Sequence, residues 1–446
     1  MSKRLAVVAA AFWVCGLPSV GHAAPQSAKP RTAAETPTFT KDVAPIFYKN
    51  CSNCHRPGQI APMTLLTFQD ARPWAKSIRE QVSLGLMPPW HADPAHGEFL
   101  NDRRLNAAER NTIVKWVNAG APEGNPADLP PQPTYAQGWL LGEPDVVLGM
   151  NEDYAVPASG TVEYKYFEVP TAFTEDKYIQ SIEIRAGNPA VLHHVIVFAR
   201  APQPEPRAPV FKFADGMAVP KEDDTQPSTN DRPAPKRLGA TIGGFAPGQV
   251  ARVYQPGTAI RVAAGSVLVF QIHYTANGTA TTDRTVVGLK LAKEKPKDEV
   301  RLSALINGAF TIPAGADNHR VDAEATLLQD VTVWSMLPHT HLRGRRWEYQ
   351  ATYPDGRTET ILSVPKYDFN WQTDYVFKEP LKLPKGTKIH ATAWYDNSTS
   401  NPSNPDPAVN VKWGDQTWEE MMFTALDYTV SAPAAPPTVE SKPGGR

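Results

Sequence analysis

Proline constrains this chain more than any other residue: it occupies 44 of 446 positions. Each proline fixes φ and removes a backbone donor, so long helices are excluded where prolines are dense. Beyond about residue 120 the 3.6-residue apolar period is rare and two-residue alternation replaces it. Alternating runs fall at 162–169, 178–185, 191–198, 266–274, 284–291, 326–338, 347–353, 388–395 and 423–430. Short runs of this kind, separated by Pro/Gly-rich gaps, predict β-sandwich architecture. A proline-dense stretch, 200–245, is too long for an ordinary hairpin connection and marks either a functional flap or an insertion.

A chain of this length exceeds one comfortable core, so two or three domains are expected. The front differs from the rest. Val43, Ile46, Phe47 and Cys51 recur at helical spacing, as do Trp74, Ile78 and Val82. Asn106 and Glu109 make a capping-box pair ahead of Ile113, Val114 and Val117, with Gly120 as the stop. Residues 39–128 therefore read as a compact helical unit, followed by a Pro-rich linker. The β portion divides near 300, into 140–300 and 301–430, and 431–446 reads as a disordered tail.

Charge and targeting narrow the function. Forty-five basic residues against 46 acidic ones leave no electrostatic case for nucleic acid. Lys3 and Arg4, an apolar run and Gly21-His22-Ala23 read as a cleavable export signal over 1–23, followed by a disordered leader at 24–38. That apolar run is too short to span a bilayer. The mature protein is expected to be soluble and periplasmic, with no membrane span. Removal of Cys15 with the signal leaves only Cys51 and Cys54. Any metal beyond those two thiols must sit on imidazole, carboxylate or thioether.

Cys51-Ser-Asn-Cys54-His55 supplies two thioether sulfurs and an axial imidazole within one helical turn, the attachment pattern of a c-type haem. Half of a zinc site is the competing reading; it needs a second ligand pair nearby, for which His91 and His96, on an irregular proline-flanked segment, are the only candidates. Three helices around one haem predict a class I cytochrome c. Met87 is the preferred sixth ligand, because methionine raises the haem potential and suits electron transfer. Met63 lies too near His55 in sequence to reach the opposite face, and His91 is the other rival.

The remaining chemistry lies in histidine clusters. His339 and His341, two apart on a strand, present both imidazoles to one face. His193 and His194 are adjacent, so they serve one ion only if a bulge or twist intervenes. His273 completes a three-imidazole set with them, and Met421 completes a soft two-His, one-Met set with the second pair. Two copper ions suit this thiol-free mixture best. His319 and His390 are solitary and read as structural.

The segments Leu192-His-His-Val195, Gln271-Ile-His-Tyr274, Pro338-His-Thr-His-Leu342 and Thr417-Trp-Glu-Glu-Met421 resemble, in the same order, the copper motifs of the type II ascorbate-dependent monooxygenases. That is the family of the peptidylglycine α-hydroxylating and dopamine β-monooxygenases. The resemblance covers about 140–430. It implies two jelly-roll domains, so the expected fold is multidomain: an all-α cytochrome c domain followed by two all-β jelly-roll sandwiches. It also implies that His193, His194 and His273 hold an electron-supplying copper, and that oxygen reacts at a copper on His339, His341 and Met421. The implied activity is hydroxylation of a C–H bond of a small organic substrate by O2. One covalent haem c would pass on electrons from an external donor. A copper/haem reductase of O2 or another small oxidised molecule and a non-enzymatic copper-binding electron-transfer protein are the alternatives. The chain departs from the family in having no cysteines for disulfides. Leu337 stands where the peptide-amidating enzyme has arginine. Phe423 and Ala425 replace its polar and tyrosine residues, so its carboxylate-binding groups are absent.

Overall fold

The computed structural model describes residues 36–430 apart from 58, 60, 136–137, 205–206, 218–230 and 246–250. The expected signal, most of the leader, part of the proline-dense stretch and the tail lie outside the described residues.

Alternation builds two pairs of sheets. In the first pair, one sheet runs in the order Val146–Gly149, Val286–Leu291, Lys177–Arg185, Thr258–Val262 and Asp298–Glu299, with Arg252–Val253 added on Lys177–Arg185. The other runs Lys165–Pro170, Val267–Tyr274, Leu192–Arg200, Ala240–Phe245. Ile179, Ile182, Val195, Val197, Phe270 and Ile272 fill the space between them. In the second pair, Arg301–Ile306, Phe423–Val430, Val331–His339 and Tyr375–Leu383 form one sheet. Thr358–Val364, Gly344–Thr352, Lys388–Tyr395, His319–Leu327 and Phe211–Phe213 form the other, with Trp347, Tyr349, Met336 and Leu426 between them. Inward residues alternate with outward ones along His319–Leu327, as the two-residue period of a pleated strand requires.

The proline-dense stretch ties the two sandwiches together. Phe211–Phe213 leaves the first to pair with His319–Leu327 of the second, and Ala240–Phe245 returns to pair with Leu192–Arg200. The run expected at 326–338 divides: one strand ends at Leu327 and the next begins at Val331.

The helical front has four short helices: α1 (Ala44–Asn50), α2 (Phe68–Ala71), α3 (Ala75–Ser83) and α4 (Ala107–Asn118). Asn106 and Glu109 form the capping box of α4 reciprocally. Trp116 packs on Phe39 and Phe47 in a small core. The expected all-α cytochrome c domain is not what forms, and this is a correction: the protein is 37% strand and 12% helical. Between α3 and α4 the chain leaves its helices and enters the second sandwich. Trp90 and Phe99 are buried in that β core, and Phe99 bridges Phe377. The amides of Asp93 and Leu100 donate to the carbonyls of Ser363 and Val376. Two large aromatics lower their free energy by several kcal/mol (~1.5–3 each) on burial. Among the described residues, no helix is long and apolar enough to cross a membrane.

Candidate metal centre

Strands Leu192–Arg200 and Val267–Tyr274 pair antiparallel, with His194 opposite His273 and Leu192 opposite Tyr274. The register therefore skips His193. This irregularity lets two adjacent histidines turn to one point, which a regular strand forbids. The Nδ1 atoms of His193 and His194 stand 3.0 Å apart. One nitrogen from each of His193, His194 and His273 lies within 4.8 Å of the others. His273 Nδ1 is buried with no hydrogen-bond partner among the described residues. A buried, unpaired imidazole nitrogen is costly unless a cation satisfies it, and the three converging nitrogens could hold a metal ion.

The second set sits where a strand of the other sandwich ends. His339 is the last residue of Val331–His339, and His341 follows beyond the strand end. Their ring centroids are 5.2 Å apart. Same-face spacing along one strand is therefore not what aligns them; outer contacts do. His339 Nδ1 lies 2.9 Å from Gln372 Oε1, and His341 Nδ1 lies 3.2 Å from the Glu419 carbonyl. An oxygen acceptor at Nδ1 fixes the tautomer and leaves Nε2 as the ligating atom.

Glu420 is fully buried and accepts the backbone N–H groups of His341 at 2.7 Å and Arg343 at 2.6 Å. Burial pushes its carboxyl up to about 8, against the pull of those N–H groups and the Arg343 guanidinium. One carboxylate thus ties the His-x-His turn to the segment carrying Met421. Tyr395 donates its hydroxyl to the Met421 carbonyl at 2.8 Å. Met422 is fully buried in the β core, whereas Met421 is half-buried outside it. Glu420→Ala orphans two buried N–H groups, at about 1–3 kcal/mol each. A denaturant melt of the metal-free variant is expected to show that loss, and an unchanged midpoint would refute the tether.

Burial makes all five imidazoles poor bases. It brings His273 and His339 to about 4, lowers His193, and holds His194 and His341 well below the ordinary value. All are neutral at pH 7, the form that ligates metal. A depressed histidine pKa means the unfolded chain binds the proton more tightly. The penalty is therefore absent above the unfolded value of about 6.5 and grows as pH falls below it. Metal-free protein is expected to lose stability between about pH 6.5 and 4. His339→Gln should make that slope shallower in denaturant titrations, and an identical slope would count against buried neutral imidazole.

Three further residues organise the site. Phe369 stacks on His193, with centroids 5.5 Å apart and planes 24° apart, and lies 5.8 Å from His341 and 6.4 Å from His339. A single ring therefore touches both imidazole sets. Tyr164 lies 5.0 Å from His273 and 5.5 Å from His194. Gln372 orients His339. None carries a sequence signal, because each reaches the site only through tertiary packing.

At the front, Cys51 follows α1 directly, and the amides of Cys54 and His55 both donate to its carbonyl. Burial pushes the Cys51 thiol up to about 12. His55 Nδ1 lies 3.2 Å from the Met63 carbonyl, which leaves Nε2 for a metal and puts the Met63 backbone on the Nδ1 side of the ring. Met87 and His91 both line one cavity of about 1110 Å³. Leu84 and Leu86 on its wall are 57% and 44% exposed, and Cys51, Cys54 and His55 are not among the residues that line it.

No family model and no curated protein matches this sequence. Among solved structures, the major capsid protein P2 of bacteriophage PM2 is similar over 65% of this chain and 98% of its own, at 7% identity and TM-score 0.27. PNGF-II is similar over 64% of each chain, at 10% identity and TM-score 0.26. An allantoicase is similar over 56% of this chain and 83% of its own, at 10% identity and TM-score 0.17.

Proposed function

We propose that this protein is a copper-dependent monooxygenase. It hydroxylates a C–H bond of a small organic substrate with O2, and electrons arrive one at a time through a haem attached at Cys51 and Cys54. The observation that carries this reading is the pair of buried, neutral, thiol-free imidazole sets, one from each sandwich, meeting at Phe369. Copper and haem iron each exchange single electrons at imidazole and thioether ligands, which is the chemistry this donor set suits.

The chain's own residues have separable tasks. His193, His194 and His273 would hold one ion, and His339, His341 and Met421 the other. Gln372 and the Glu419 carbonyl hold the rings of His339 and His341 in orientation. Glu420 keeps the Met421 segment beside His341. Tyr164 and Phe369 shield the imidazoles from water. Phe423 lies 6.1 Å from His339, and Ala425 pairs with Leu337 two residues before it. An apolar wall there favours an uncharged substrate. His55 and Met87 would be the side chains that hold the haem iron, and the haem would supply one-electron chemistry.

Overall, RH, O2, two electrons and two protons become ROH and water. Copper-loaded protein with a chemical reductant and ¹⁸O2, screened against small uncharged organic compounds, is expected to place one labelled oxygen in an organic product. Label appearing only in water would replace this reading with an oxygen reductase.

A further inference from the structure

A second cavity, of about 550 Å³, lies where the two sandwiches meet. Thr241, Ile260 and Ser266 line it from the first sandwich, Arg301 and Tyr428 from the second. None of the five clustered histidines lines it, nor does Phe369. Charge here is one-sided. Four arginines line the cavity, Arg207, Arg237, Arg261 and Arg301, against one acid, Glu299. Three of them have partners. Arg207 lies 3.9 Å from Glu299, Arg237 donates to the Ala201 carbonyl at 2.5 Å, and Arg261 pairs with Asp176 at 2.7 Å. Arg301 is different: its Nε is buried with no acceptor among the described residues, and its side chain makes no ion pair there. The Ser266 hydroxyl, in a residue only 2% exposed, is a second buried polar group without a partner among them. Buried donors left unpaired cost free energy that an acceptor from outside would recover. The surface beside Arg301 is aromatic. Arg301 and Tyr428 are cross-strand partners, so their side chains leave the sheet on one face. Tyr428 meets Phe211 edge-on, with ring centroids 5.1 Å apart, and Phe211 stacks on Phe213 at 6.3 Å. Phe213 also lines the cavity and is 41% exposed.

We propose that this cavity binds an organic carboxylate with a flat apolar body. The fork of N–H donors on Arg301 takes the carboxylate, the geometry for which a guanidinium is suited. The rings of Phe211, Phe213 and Tyr428 cover the apolar body, and Ser266 offers a hydroxyl from the first sandwich. An inorganic anion would leave the rings bare, and a neutral ring would leave the Arg301 Nε unpaired. A ligand that has both parts satisfies both. The volume suits such a molecule, since small-molecule sites occupy about 300–1,000 Å³. Because the ligand touches both sandwiches, it binds only when they are folded and docked, and so stabilises their junction by mass action. The site stands apart from the imidazole sets and does not depend on the reaction assigned to them.

The test titrates full-length protein with benzoate, with benzamide as its uncharged counterpart and inorganic phosphate as the anion without a ring. Calorimetry should show one benzoate per chain, bound at least about tenfold more tightly than benzamide, because a charge-assisted pair is stronger than a neutral one. That comparison needs no variant. Arg301→Met should weaken benzoate at least about tenfold and leave metal content unchanged. Arg357→Gln, an exposed arginine outside the cavity, is the silent control. A second readout separates a binding role from a structural one. Arg301→Met removes a buried donor that has no partner, so its ligand-free melting midpoint should equal or exceed that of the parent. Benzoate should raise the parent midpoint and leave that of the variant where it began. Benzamide binding as tightly as benzoate, full benzoate affinity in Arg301→Met, or a lowered ligand-free midpoint in that variant would each overturn the site. Phosphate bound through Arg301 in place of benzoate would overturn the carboxylate class and leave a site for inorganic anions.

Discussion

Replacement of Met421 by isoleucine is expected to lower oxygen-dependent product formation by more than about 100-fold, the upper range seen when an outer partner of a metal ligand is lost. Isoleucine keeps the bulk of methionine but has no thioether. Copper content should fall from two ions per chain toward one, because the His193, His194 and His273 set is untouched. The neighbour is the control. Met422 lies in the β core with no exposed surface, so Met422→Leu is a volume-conserving exchange costing under about 1.5 kcal/mol, with turnover retained. Equal loss in both variants would mean that the segment had misfolded. Unchanged turnover in Met421→Ile would remove the His339/His341 ion from the reaction.

Loss of Arg252 is expected to be the most destabilising single change outside the hydrophobic cores. Arg252 belongs to a short strand of the first sandwich, yet its guanidinium donates to Asp374 at 2.8 Å, to Ser335 at 2.7 Å and to Asp427, all in the second. It also lies 5.6 Å over the Tyr254 ring. Burial raises the Asp427 carboxyl, and the Arg252 charge opposes that rise. Arg252→Ala leaves two carboxylates facing each other with no counter-charge, a cost of about 3–5 kcal/mol. Without the arginine, the folded-state carboxyl pKa lies further above its unfolded value. The uncharged form then supports the fold below the unfolded pKa, and that support disappears as pH rises through the folded one. The variant should therefore be least stable relative to the parent at pH 7–8 and recover part of the difference near pH 5. Urea midpoints across that range test this, and a pH-independent difference would contradict it.

The two predictions draw on different depths of information. Met421 stands out in the linear chain because sulfur and imidazole donors are rare and their residue types are read directly. Arg252 does not, since nothing in its neighbours announces two carboxylates more than 100 positions away. The same division runs through the site. The need for a break beside His193 followed from strand geometry alone, and a register shift meets it between His273 and Tyr274. Alignment of His339 and His341 was expected from two-residue spacing, whereas contacts to Gln372 and Glu419 hold them beyond the end of the strand.

The helical front shows why local signals go only so far. Asn106 and Glu109 marked the start of α4, because a cap is made by residues three apart. Those helices do not close into an all-α domain, because Trp90 and Phe99 are drawn into a larger apolar interior formed by strands that begin more than 200 residues later. Residue type and short spacing determined the donor chemistry and the alternating strands, since both depend on atoms only a few bonds apart. Which sandwich each donor faces, what lies between the two imidazole sets and where the helical front docks were decided by long-range burial. No local pattern records a free energy that exists only once distant surfaces meet.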